Sequence, residues 1–427
     1  MQRTRFPAVF WVANAIEVLE RFAYYGIYMG FGIYMEYLGY SRDQLGIIQS
    51  LFLLLSYMIP VFSGTFADRY GFKKVLIVSY LAYLPSILLL LLTRSFSGIA
   101  LTMLSIGLAA GIFKPLIAGT IRAVTDASNK TLGFGVFYAM VNVGATFGPI
   151  AAGRLRAISW AYAFLAAAVA ICLMLIITII FYKEPPRRLQ PVSTASKLRE
   201  IYVALSDLRF SIFLCLLGVF FWMPFWSFFN LLAVYIDANL DTARLYNQIQ
   251  SVLGTSVADF FSRVDQYGTR RILGETVSHD GYIIMICQVL VSSLIQAARP
   301  IPAFLVGLAI AALGFVVIGT AATLTPWLVF IGITLFAIGE MITSPRIQEY
   351  ITWLAPKEKA GLYMGSNFLA TGIGGFASGI YTSIYGHVEK AGHPEYIWYI
   401  LACHLLIGIA AIYLFTKLAG QFTERQE

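Results

Sequence analysis

Charge is scarce in this chain. Only 12% of its 427 residues are Asp, Glu, Lys or Arg, about half the share a soluble domain keeps to face water. That shortage excludes an ordinary water-soluble domain, because most of the surface must face something apolar. Cysteine is rarer still. Cys172, Cys215, Cys287 and Cys403 sit inside apolar runs with neither metal nor disulfide-framework spacing, so they read as small packing residues. The four histidines are scattered, and there is no phosphate-cradling glycine loop and no nucleophile motif. Enzymatic chemistry therefore has no motif to rest on, and no cofactor or metal is expected. The formal charge of +8 does not signal nucleic acid, since the basic residues are dispersed among short polar stretches.

What the sequence has in abundance is apolar length: 59% of it is hydrophobic. Apolar runs lie near 7–35, 44–66, 74–93, 97–122, 131–155, 159–182, 209–236, 281–297, 301–321, 325–352, 359–386 and 394–417. Most approach the roughly 20 residues that cross a hydrocarbon core of about 30 Å. Backbone amides inside lipid must be satisfied within the segment, so these runs are helices. The first imitates a signal peptide, with Arg3 and Arg5, a short apolar run and Ala13-Asn14-Ala15. The helical pattern continues past Ala15, and we read it as an uncleaved first span.

A polar, basic stretch separates the first six runs from the last six. The expected organisation is a six-helix bundle over 1–182, a cytoplasmic linker over 183–208 and a second six-helix bundle over 209–427. That plan resembles the major facilitator fold, an all-α membrane protein of 12 transmembrane helices in two bundles, with a substrate site expected near the midplane. Placing the N-terminus inside puts Arg3, Arg5, Arg69, Lys73, Lys74, Arg122, Lys183, Arg187, Arg188, Lys357, Lys359 and Arg425 on the cytoplasmic side. Only Arg42, Arg94, Arg154, Arg156 and Lys390 then fall outside, which predicts both termini in the cytoplasm. Residues 237–280 are too polar to span. Leu245, Ile249, Val252, Leu253, Val257, Phe260, Val264 and Tyr267 recur at helical spacing, with Asp259 four before Arg263, which predicts an amphipathic helix on the outer face. It would pack on the rim or lie at the interface, or act as a gating lid.

Buried charge carries the functional signal, because each charged residue at a helix centre costs about 2.5–3.5 kcal/mol even on insertion scales. Glu17, Glu20 and Arg21 share one face of the first helix, and Asn14, Tyr24 and Tyr28 extend the stripe. Arg21 can neutralise one glutamate. The other is left over and can carry a proton, although a purely structural cluster would look similar. Lys114 sits mid-span four in Gly111-Ile112-Phe113-Lys114-Pro115, and Glu340 mid-span ten in Gly339-Glu340-Met341. One cation and one anion in opposite halves would suit a bridge that opens and closes, or the two ends of a zwitterion.

The stretch Gly64 to Lys74, with Asp68-Arg69-Tyr70-Gly71, resembles the major facilitator loop signature, and by it Asp68 and Arg69 would latch one conformation. Glu17-x-x-Glu20-Arg21-Phe22-x-Tyr24-Tyr25 resembles the first-helix signature of proton-dependent oligopeptide transporters. Phe137-Tyr138-x-x-Val141-Asn142-x-Gly144, the Lys114-Pro115 pair and Gly339-Glu340 followed by Ser344-Pro345 are similar to further motifs of that family. The resemblance implies proton coupling at Glu17, Glu20, Arg21 and Glu340. It implies a peptide carboxylate at Lys114 and Arg21, an amino end at Glu340 and Asn142, and a pocket lined by Tyr24, Tyr25 and Tyr57.

Departures fall at defined points. Tyr28 stands where the family often has a second arginine, Trp226 replaces the glutamate expected four residues after Trp222, and Asn367 takes the place of a pocket tryptophan. These three join the expected substrate-lining set. The resulting expectation is a proton-driven symporter of small peptides or peptide-like zwitterions, monomeric in a bacterial inner membrane and partnered only by lipid and substrate. An exporter of amphiphilic small molecules and a non-transporting receptor or scaffold stand as alternatives.

Overall fold

Ionisable side chains lie inside this protein and large apolar ones lie outside. In the computed structural model Glu17 and Glu20 are 1% and 0% exposed, whereas Leu92, Ile286 and Leu418 are nearly four-fifths exposed. That inversion of the soluble pattern is what lipid as a solvent demands. The structure describes residues 6–126, 129–185, 194–295, 298–354 and 360–419. Arg3, Arg5, Arg187, Arg188, Lys357, Lys359 and Arg425, used above for orientation, lie outside them.

Each apolar run forms a helix. The first seven are α1 (Ala8–Tyr37), α2 (Arg42–Met58), α3 (Pro60–Tyr70), α4 (Phe72–Leu92), α5 (Phe96–Ala123), α6 (Lys130–Arg156) and α7 (Trp160–Phe181). Helices α2 and α3 are one span interrupted at Pro60, which has no N–H to donate and so restarts the ladder. α8 (Thr194–Leu205) lies in the interval read as linker. The next span is α9 (Leu208–Leu217), a π-helical turn over Gly218–Trp222, and α10 (Met223–Asn239). The later spans are α14 (Gly281–Ile295), α15 (Pro300–Ala321), α16 (Leu328–Leu354), α17 (Ala360–Lys390) and α18 (Tyr396–Leu418). Among the described residues nine segments are long and apolar enough to cross a membrane; α1, α14 and α17 complete the twelve positions.

The chain divides into two units, Met1–Tyr34 with Leu51–Leu198, and Met35–Ser50 with Arg199–Glu427. The first turns of α2 thus pack with the second unit, although sequence order puts them in the first half. Gln49 explains part of this. It accepts a hydrogen bond from Thr382 at 2.8 Å and donates to Asn230 O at 3.2 Å. Arg42 adds a fork onto Glu389, Nε to Oε2 at 3.0 Å and Nη2 to Oε1 at 3.2 Å. Tyr385 also donates to Glu389 at 3.1 Å and bonds Asn239. From sequence, Arg42 is only a dispersed loop cation.

The insert departs from expectation. The amphipathic helix is present only as α11 (Thr242–Leu253), capped by Asp241 accepting from Arg244 N–H at 3.0 Å. Gly254, at φ +87°, ends it. A short α12 (Thr255–Phe260) follows, then an antiparallel hairpin of β1 (Ser262–Val264) and β2 (Arg270–Ile272), then one turn, α13 (Gly274–Val277). Val264 and Tyr267 therefore belong to a hairpin. Asp259 pairs with Arg270 at 2.9 Å and takes Tyr246 Oη at 2.7 Å. In the hairpin turn a hydrogen bond from Arg271, with the Thr269 N–H, holds the Asp265 carboxyl below its ordinary range.

In the first unit α6 lies directly on α1. A Cβ added to Gly148 would stand 2.4 Å from Phe22 O, and one on Gly144 would stand 2.4 Å from Val18 O. Gly148→Val is expected to lower stability by about 1–3 kcal/mol, because an overpacked helix contact must spread. A melting curve of the purified protein in detergent checks this, and an unchanged midpoint would show that the contact has slack.

Candidate functional site

The stripe of α1 meets α4 and α5 inside the first unit. Arg21 Nε is shared between two carboxylates, 2.7 Å from Glu17 Oε1 and 3.1 Å from Glu20 Oε2. The i, i+3, i+4 spacing puts all three on one face, so a single guanidinium serves both acids. Tyr83 on α4 donates to Glu20 Oε1 at 2.8 Å. Glu17 Oε2 has no accessible surface and no hydrogen-bond partner among the described residues. Glu20 Oε2 likewise accepts no described hydrogen bond, although Arg21 Nε lies 3.1 Å from it, so each carboxylate keeps one oxygen without a hydrogen-bond donor.

Lys114 reaches the same region from α5. Gly111 brings α5 close to the α2–α3 junction, since a Cβ there would stand 2.7 Å from Ile59 Cβ and 2.9 Å from Leu55 O. The lysine ammonium then donates to Ser56 O at 3.2 Å and rests 3.6 Å from the Tyr57 ring centre and 4.8 Å from that of Tyr24. Each such cation–π contact is worth about 0.5–2 kcal/mol. Among the described residues no carboxylate lies within ion-pair distance of Lys114. Counting Glu17, Glu20, Arg21 and Lys114 together, two negative charges balance two positive ones.

Tyrosines wall this group. Tyr24 and Tyr28 stack at 5.8 Å, both against Phe52 at 5.5 and 5.3 Å, and Tyr25 stands edge-on to Tyr24 at 5.1 Å. Tyr24, Tyr25, Tyr28 and Tyr57 therefore gather around the ion group, as the motifs imply. Asn142 does not join it by any hydrogen bond described; its amide donates to Tyr138 O at 2.9 Å within α6. Asp68 is half-buried at the end of α3, and the exposed Arg69 lies over the Tyr70 ring at 5.2 Å. The contact that ties down this loop is one the sequence reading missed. Glu184, just past α7, accepts from Phe72 and Lys73 N–H at 2.7 and 2.9 Å, capping α4 with a carboxylate.

The second unit holds the remaining residues. Trp226 is 3% exposed among Phe225 and Phe229, with ring centres at 5.6 and 6.0 Å. The π turn before it fits Pro224, which withdraws one donor from the ladder, while Met223 N–H reaches back five residues to Gly218 O. Asn367 is half-buried on α17, its side-chain oxygen without a described partner. Glu340 on α16 lies beside Asp280, a residue the sequence reading left at the edge of a loop.

Known proteins were compared with this architecture. Curated relatives match in part. The quinolone resistance protein NorA of Staphylococcus aureus is 26% identical over 168 residues, 38% of this chain and 43% of that protein. The class H tetracycline resistance protein of Pasteurella multocida is 30% identical over 147 residues, 34% of this chain and 36% of that protein. The match thus spans less than half the length of either relative. Among solved structures, a POT family transporter in complex with 5-aminolevulinic acid superposes with a TM-score of 0.75 at 18% identity, covering 96% of both chains. A POT family transporter in complex with a thioalcohol-conjugated peptide gives 0.75 at 19%, again over 96% of both. Those likenesses establish the fold. The Major Facilitator Superfamily profile runs from residue 14 to residue 379, through most of both units, and the chain belongs to that superfamily.

Proposed function

We propose that the protein is a secondary active transporter that carries small peptides or peptide-like zwitterions together with protons by alternating access. The observation that carries this reading is the charge-balanced group of Glu17, Glu20, Arg21 and Lys114. Its three α1 members are almost fully buried, yet among the described residues its lysine has no carboxylate of its own. With both glutamates ionised the group is neutral. Adding one proton to Glu17 leaves it one charge positive, which favours a substrate carboxylate at Lys114 and Arg21. Losing that proton restores neutrality and weakens the carboxylate's hold, so proton and substrate travel as a pair. Glu340 and Asn142 would serve the substrate's amino end, Tyr24, Tyr25, Tyr28, Tyr57, Trp226 and Asn367 would line its path, and Asp68 and Arg69 would latch one conformation. Both termini would face the cytoplasm of a bacterial inner membrane, and the chain would work as a monomer. The ligands named for the two solved transporters, an amino acid and a peptide conjugate, support a zwitterionic substrate class.

A second reading, export of amphiphilic small molecules, draws on the aromatic surroundings of Trp226 and on the drug-resistance names of the curated relatives. Reconstitution separates the two. With an inward proton gradient across proteoliposomes, Ala-Ala is expected to accumulate and to acidify the lumen. A protein that does neither, and that tetraphenylphosphonium stabilises while dipeptides do not, would be the exporter.

A further inference from the structure

The chain reaches α14 along an unusual path. Among the described residues α14 runs for 15, about 22 Å of helix against a hydrocarbon core of about 30 Å. The residues before it make up the difference without continuous helix. From Gly274 to Asp280 every residue is buried, with Glu275 and Ser278 at 0%, His279 at 3% and Asp280 at 4% exposure. Gly274 N–H donates to Asp237 on α10 at 3.1 Å. Interrupted helix at membrane depth persists only where protein encloses it, and such breaks are common ion sites in transporters.

Asp280 stands at the start of α14, its backbone oxygen accepting from Ile283 and Ile284 N–H at 2.9 and 3.1 Å. Its carboxyl turns to Glu340. The register is fixed by packing, because Ile284, one turn on, beds against Ala337 and Met341 on either side of Glu340. Two carboxyls brought together at a buried place with no counter-charge cannot both stay ionised, so one of them holds a proton. Asp280 Oδ2 and Glu340 Oε2 have neither accessible surface nor a described hydrogen-bond partner.

The neighbours supply no counter-charge. Among the described residues no Lys, Arg or His nitrogen lies within ion-pair distance of either carboxyl. On the lead-in, the His279 ring lies edge-on to Tyr282 at 5.3 Å, with neither nitrogen hydrogen-bonded among the described residues. Tyr282, on α14, is a further titratable group near Asp280. α10 brings Tyr235 and Asp237, the latter engaged by Gly274 N–H. α15 brings no titratable side chain, and Arg346, further along α16, bonds Ile295 O. The cavity that Glu340 borders is walled mainly by aromatic and apolar groups, Phe221, Phe225, Phe315 and Phe336 among them, with Thr343, whose hydroxyl bonds Gly339 O, the other polar residue in its lining.

We propose that Asp280 and Glu340 form a second proton-binding site, a carboxyl pair that shares one proton and supplies the ionisable group that span seven lacks at Trp226. Holding one proton, the pair keeps a single negative charge, enough to accept a substrate ammonium while the proton stays aboard. Simultaneous occupancy by proton and cationic group is what cotransport requires, so this site rests on the symport reading and extends it to the second unit. On release the proton passes to water and the substrate leaves with its own charge.

The direct test is infrared difference spectroscopy of the full-length protein in liposomes, titrated through neutral pH. Beyond the band of Glu17, which Glu17→Gln removes, one further protonated-carboxyl band is expected, lost in both Asp280→Asn and Glu340→Gln. If the wild-type protein shows no such band, or if the band survives in either variant, the pair is not a proton site. Should Asp280→Asn fail to fold, Asp280→Ser serves the same comparison. In the transport arm, Asp280→Asn is expected to lower gradient-driven accumulation of Ala-Ala about tenfold while gradient-free counterflow falls less than about threefold; equal losses would overturn the role in coupling. Were the wild-type protein to move no dipeptide at all, the symport reading would fail while the infrared result still decided the pair.

Discussion

Glu17→Gln is expected to abolish proton-driven accumulation of dipeptide while exchange of labelled for unlabelled peptide continues. The substitution fixes the side chain in the form that a proton would give it. It keeps an oxygen for Arg21 Nε, which Glu17 Oε1 meets at 2.7 Å. The group of Glu17, Glu20, Arg21 and Lys114 then holds one excess positive charge at every pH. A substrate carboxylate should bind throughout, but release no longer follows deprotonation, and the gradient has nothing to act on. A proton–substrate coupling of about 1–3 kcal/mol corresponds to a loss of about 5–150-fold in the accumulation ratio, and the upper end is expected if Glu17 is the main coupling acid of the first unit. The measurement is Ala-Ala accumulation in proteoliposomes against the imposed pH difference. A variant that still concentrates peptide in proportion to the gradient would move the coupling acid elsewhere, Glu20 being the next to test. Glu20 is less suited to the part, because Tyr83 already donates to its Oε1 at 2.8 Å while Arg21 Nε lies 3.1 Å from its Oε2.

How much of this arrangement could be read beforehand depends on whether the interaction is local. Glu17, Glu20 and Arg21 form their cluster within one helical turn, so spacing alone places it, and Lys114 declares itself by being charged where charge is costly. The tyrosine wall follows from the same stripe. Tyr83, Glu184 and Asp280 could not be found that way, since each acts across dozens of residues on a group in another helix. Asp280 left a faint trace: an acid in a His-Asp-Gly step at the mouth of an apolar run is where a helix start is expected. The run beginning at 281 sits at the short end for a span, and a strict length criterion would have pointed at what precedes it. The insert misled for a different reason. Its apolar residues keep helical spacing through Tyr267, but spacing cannot see Gly254 at φ +87° or the tight turn at Gly268, φ +78°, that folds the rest into a hairpin. The packing of the start of α2 with the second unit is likewise invisible, because it depends on Gln49 and Arg42 finding Thr382 and Glu389 more than three hundred residues away.

Lys114→Ala should have the other large effect, on binding rather than coupling. The ammonium has three hydrogens, and one is directed to Ser56 O at 3.2 Å while the Tyr57 and Tyr24 rings face the charge. Two donors are left for a ligand, in a place where no carboxylate among the described residues competes. Removing the charge leaves the rest of the group one unit negative when both glutamates are ionised, so a substrate carboxylate loses its partner and meets repulsion as well. Truncating one member of a buried ion pair costs about 2–5 kcal/mol, at least about thirtyfold in Kd for a free-carboxyl dipeptide. The same peptide with its carboxyl amidated provides the control. Wild-type protein should bind it weakly, and Lys114→Ala should bind amide and acid about equally, which a general loss of folding would not produce. Titration calorimetry with Ala-Ala and its amide reads both ligands on one preparation. If the variant loses acid and amide in equal measure, or keeps the acid at wild-type affinity, then Lys114 is holding α5 against the α2–α3 junction and not a substrate, and the carboxylate must be received by Arg21 alone.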